Sequence, residues 1–117
     1  MTASPLSLAS LLAEMVDVPS RHLEVLALLT LGILDAIESE VLTPDAARHQ
    51  FFTGENCLFV RETLRSAEAD SIMSRGVELP DLFEALSHDV AIRESRKEIT
   101  AMRAACLRLL GNERLVA

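Results

Sequence analysis

Apolar residues recur along this chain every three or four positions, broken by short polar joints, and the spacing predicts helices throughout. Ser4 and Pro5 have the chemistry of an N-cap and first-turn pair, and Leu6, Leu8, Leu11, Leu12, Met15 and Val16 then follow the helical period. Asp17–Ser20 breaks it, and Pro19 opens a second helix running to about Glu40. Its middle, "VLALLTLGIL" (Val25–Leu34), is apolar all round, which predicts a helix surrounded by others. Thr43, Pro44 and Asp45 form a strong restart as N-cap, first helical residue and first-turn acid. "TGEN" (Thr53–Asn56) reads as a turn. A fourth helix from about Glu55 places Leu58, Phe59, Thr63 and Leu64 on one side. Ser66 caps a fifth, with Glu68 and Asp70 in its first turn.

The stretch "SRGVELPDL" (Ser74–Leu82) then reads as a joint. Gly76 is expected to end the fifth helix in the left-handed conformation, and Pro80 with Asp81 to start a short sixth, "LPDLFEALSH". The last helix, "DVAIRESRKEITAMRAACLRLLG", spaces Ile92, Ile99, Met102, Cys106 and Leu109 by sevens, threes and fours, and Gly111 terminates it. Residues 112–117 read as a frayed tail. The expected architecture is all-α: one domain over 1–117, a compact bundle of six to seven helices, several short, built around the second and last.

Composition agrees. Half of the 117 residues are hydrophobic, enough for a core without disulfide or metal. Aromatics are 3%, all four of them Phe, and Leu and Ala outnumber the β-branched residues that sheets favour. Cys57 and Cys106 stand far apart with no CxxC, and read as reduced, packed thiols.

Charge narrows the partners. A net charge of −7 repels phosphate backbones, and no Trp or Tyr is present to stack on bases. Nucleic acid is therefore not an expected partner. No Lys or Arg precedes Arg21, so the N-terminus lacks the basic region of a signal peptide, and the apolar run is half a bilayer span. No membrane association and a cytoplasmic location are expected. The imbalance is also local. Val77–Asp89 carries four acids (Glu78, Asp81, Glu84 and Asp89) and no base, whereas Val90–Ala117 carries six bases and three acids. One reading has these segments neutralise each other within the molecule. In the other, the acids face a partner.

Catalytic chemistry finds little footing. His22, His49 and His88 belong to no HxxxH or HExxH pattern; Asp45 and His49, four apart, make at most half a metal site. No G-x-S-x-G elbow, P-loop or GxGxxG is present. Cys57 after "GEN" lies near a helix start, which can lower a thiol pKa, but packing beside Leu58 and Phe59 is the simpler role. Glu78, Asp81 and Glu84, three apart, can bind a hard cation or act as acid and base, or simply favour a helix start. No catalytic, cofactor-binding or metal residue is assigned.

Leu31, Gly32, Leu34, Leu42, Ala46, Phe52, Gly76, Glu78 and Leu79 together give an apolar helix with an "LG" step, a restart leading to phenylalanine, and a later "GxEL" joint. Over residues 28–90 this pattern resembles a family of small, uncharacterised bacterial all-helical proteins. The resemblance implies the fold and no activity.

The expected function is thus a non-enzymatic protein-binding module. In its concrete version it is immunity- or antitoxin-like, with Glu78, Asp81, Glu84 and Asp89 meeting a basic protein. One alternative is a homodimer through the last helix, where Ile92, Ile99 and Cys106 repeat by seven. The other is a small enzyme with a carboxylate or Cys57 centre.

Overall fold

A computed structural model describes residues 5–15 and 18–111. Six α-helices and one π-helical turn account for nearly all of them, with no strand among the described residues. In chain order they are α1 (Leu8–Ala13), α2 (Pro19–Glu38), α3 (Pro44–Gln50), α4 (Gly54–Phe59), the π turn (Val60–Leu64), α5 (Ala67–Ala85) and α6 (His88–Leu109). The all-α bundle expected from the sequence is the observed fold. None of these helices is long and apolar enough to cross a membrane.

Hydroxyl caps set the helix starts. Thr43 accepts from the Ala46 amide at 3.0 Å, Thr53 from Asn56 at 3.1 Å and Ser66 from Ala69 at 3.2 Å, each satisfying an amide with no helical partner. At the first helix the cap is Ser7, not the Ser4–Pro5 pair. Pro5 lies before the helix, and Ser4, Val16, Asp17 and the tail 112–117 lie outside the described residues.

The frame is an antiparallel hairpin of α5 and α6 joined by Leu86–Ser87, with α2 laid along α6. Arg75 pairs with Glu98, and Arg108 with Glu68 at 2.7 Å, as two rungs of that hairpin. Between the helices lie Leu26, Ala27 and Leu34 of α2, Ile72, Met73 and Leu79 of α5, and Ile99, Met102 and Cys106 of α6, all buried. Ile99, Met102 and Cys106 of the last helix's spacing are thus packed inside the monomer, while Ile92 is half-buried and lines an open cleft.

α5 overturns the expected joint. It runs unbroken through Gly76 and Pro80, and both are buried in its interior. The glycine is there because the Phe52 ring lies where a Cβ at position 76 would be. Pro80, four residues on, has no amide, so the hydrogen bond that the Gly76 carbonyl would accept is missing. Burial of Ile72, Met73, Leu79 and Pro80 holds the helix through a residue that would end it in isolation.

Two further expectations change. The π turn adds a residue to the helical repeat, with Val60 and Leu64 inward and Thr63 exposed, and Leu58, in α4 before it, is exposed as well. Nor is α2 enclosed on all sides. Its solvent side presents Arg21, Leu28, Gly32 and Asp35, and Leu28 is 59% exposed.

Asn56 ties α1 to this frame. It is 2% exposed; its Oδ1 accepts from the Leu8 amide at 3.0 Å, and its Nδ2 donates to the Leu6 and Phe51 carbonyls at 2.8 Å each. Every polar atom of its side chain is thereby used in fixing the first segment against the α3–α4 corner.

Candidate functional site

The four acids of Val77–Asp89 do not converge on one point. Glu78 lines an open groove of about 590 Å³ between α3, α4 and α5, with Arg48, His49, Cys57 and Arg61 on its other walls. Asp81 is engaged by Arg48 at 3.4 Å, and Arg48 also holds Asp45 at 3.1 Å. Glu84 and Asp89 flank the turn that joins α5 to α6, where residues 84–89 are all exposed.

The bases of α6 do not neutralise this segment. Arg103 pairs with Glu38 of α2, Arg108 with Glu68 of α5, and Lys97 with Glu94 of its own helix at 3.4 Å. Glu78, Glu84 and Asp89 carry no ion pair among the described residues. Intramolecular compensation thus operates with other acids and leaves three of these four carboxylates free.

Beside the Glu84–Asp89 turn lies a second cleft, of about 450 Å³, where the ends of four helices meet. Its walls are apolar: Ile37 from α2, Leu42 from the α2–α3 joint, Phe83 from α5, and Ile92 and Ile99 from α6. Glu40, Glu38, His88 and Arg96 supply the polar rim, and the buried Ser95 lies in the wall. Glu38 is spent on Arg103, whereas Glu40 is exposed and unpaired among the described residues. Val41, between Glu40 and Leu42, is 80% exposed, and Leu86 is exposed at the hairpin tip. An apolar floor with a charged rim is the usual layout of a protein-binding patch.

Glu40 is held there by its backbone. It adopts the left-handed conformation (φ 62°) just after α2, the Val41 amide bonds the Ala36 carbonyl at 2.9 Å, and the Glu40 amide bonds that of Ile37 at 3.1 Å. This is the Schellman closure of a helix, with glutamate where glycine is usual. Sequence reasoning passed over Glu40, Val41 and Phe83 as a group because four separate segments bring them together. An apolar residue next to an acid in a short joint, "SEVLTP", was the one local signal.

The groove holding Glu78 is chemically quieter. Burial raises the Cys57 thiol above its ordinary value, against a weaker opposing pull from Arg61. A thiol protonated in this way is a poor nucleophile, although His49 lines the same groove. His49 is turned to its own helix, its Nδ1 donating to the Asp45 carbonyl at 2.9 Å. Cys106 is buried against α2 beside the Thr30 hydroxyl, and desolvation pushes its pKa up to about 11. No group of three or more His, Cys, Asp or Glu among the described residues is placed to hold a metal ion.

No family model, curated protein or solved structure matches the chain.

Proposed function

We propose that this chain is a non-enzymatic, cytoplasmic protein-binding module that uses the α5–α6 corner to grip a basic protein. An apolar side chain of the partner enters the cleft over Phe83, Ile92 and Leu42. Its lysines or arginines meet Glu40, Glu84 and Asp89 around the rim. An immunity- or antitoxin-like role, covering a basic toxin or nuclease, is the concrete version of this reading.

The observation that carries it is the pattern of pairing. Arg103, Arg108 and Lys97 are engaged by Glu38, Glu68 and Glu94, and among the described residues Glu84 and Asp89, like Arg93 and the cleft-lining Arg96, carry no ion pair, with both acids exposed beside an apolar cleft. Rim charges of this kind steer a partner of opposite sign and fix its register. Glu78 lies outside the corner and is not needed for the grip, and Asp81 is muted by Arg48.

The test is affinity capture by the wild-type chain beside Glu84→Lys/Asp89→Lys. A basic protein held by the first and lost by the second supports the reading. A partner retained equally by both, or the capture of acidic proteins only, overturns it.

A further inference from the structure

We infer that the outward stripe of α2 is a contact between two copies of this chain, paired antiparallel about Leu28. The ten residues Val25–Leu34 carry no charge, and the monomer leaves Leu28 and Gly32 of that run in solvent. A glycine within a helix weakens it relative to alanine. Here a Cβ at position 32 would meet nothing within 4 Å among the described residues, so no packing among them requires the glycine. A second helix approaching closely does require it.

The charges choose the partner and its direction. Arg21 and Asp35, both exposed, lie seven residues to either side of Leu28, about 10 Å each way along the axis. A two-fold axis through Leu28 sets Arg21 of one copy against Asp35 of the other, twice, as an isologous interface demands. A parallel pair would set arginine beside arginine. Arg21 already touches Glu24 of its own helix at 3.5 Å, and its planar fork has donors left for a second carboxylate. Glu24 then faces the open Gly32 of the second copy.

This contact lies on α2, away from the Glu84–Asp89 turn, so it stands or falls separately from the corner. Sedimentation equilibrium of the full chain from about 1 to about 200 µM tests it. The wild type is expected to dimerise. Leu28→Glu is expected to stay monomeric throughout, with unchanged circular dichroism, because Leu28 is exposed. Arg21→Glu is expected to weaken association about tenfold, and Arg21→Glu/Asp35→Arg to restore it to within about threefold of wild type. A wild type monomeric at the highest concentration, a dimer that survives Leu28→Glu, or a charge swap that fails to restore pairing overturns the proposal.

Discussion

The ring of Phe52 fills the space that a side chain at position 76 would occupy, so the α3–α4 corner and α5 meet through an aromatic ring and bare backbone. Phe52 is itself locked edge-to-face on Phe51, with ring centroids 5.1 Å apart. It has little freedom to withdraw. Gly76→Ala is therefore expected to destabilise the fold by about 1–3 kcal/mol through overpacking. Combining it with Phe52→Leu should recover part of that loss, so a double-mutant cycle in urea gives a coupling near 1 kcal/mol. Additive costs would mean that the two positions do not share this space.

Asn56 is expected to be the most sensitive polar residue. Asn56→Ala leaves the buried Leu8 amide and two carbonyls without partners, at a cost of about 2–3 kcal/mol. Asn56→Asp keeps the acceptor for Leu8 but loses both donors, and should be nearly as harmful. Hydrogen exchange should locate the damage in α1 first, since Asn56 makes two of the polar ties of that segment, beside the bond from the Leu6 amide to the Gln50 carbonyl.

Glu40 offers the opposite sign. A non-glycine residue at φ 62° is strained, and glycine removes the strain at the close of α2. Glu40→Gly is expected to raise stability by about 1 kcal/mol in urea unfolding while weakening the grip on a basic partner. A gain in stability bought with lost binding is the signature of a residue kept for its charge.

Cys106 predicts the alkaline limb. Its thiol titrates near 9 when unfolded and is pushed up to about 11 by burial in the fold. The folded state thus holds this proton more tightly. Stability from this group is complete below pH 9 and falls as pH rises from 9 toward 11. Cys106→Ala should flatten that decline, even though its smaller side chain lowers stability at neutral pH. A thiol reagent at neutral pH should leave Cys106 untouched until the protein unfolds.

Much of the fold was legible because local chemistry and tertiary packing agree along most of the chain. Thr43–Pro44 starts α3 where its capping chemistry says it should, and Ser66 caps α5. Reading failed where a residue serves a neighbour distant in sequence. Gly76 has the local signature of a helix end, but its reason is Phe52, twenty-four positions earlier. The π turn escaped because one added residue changes the register of Val60–Leu64 without any marker in composition. The candidate site was legible as charge alone. Sequence gathers Glu78, Asp81, Glu84 and Asp89 into one acidic run. The fold sends Glu78 to another groove, gives Asp81 to Arg48, and sets Glu84 and Asp89 beside a cleft built from four segments.

We propose above that the α5–α6 corner holds a basic partner through charge around an apolar cleft. It is tested most directly by the affinity of the captured partner for wild type, Glu84→Lys/Asp89→Lys and Phe83→Ala, measured by calorimetry at low and high salt. The double reversal is expected to weaken binding at least about tenfold at low salt and less so at high salt, and Phe83→Ala to weaken it about tenfold at both. Affinity unchanged by the double reversal at low salt would contradict it.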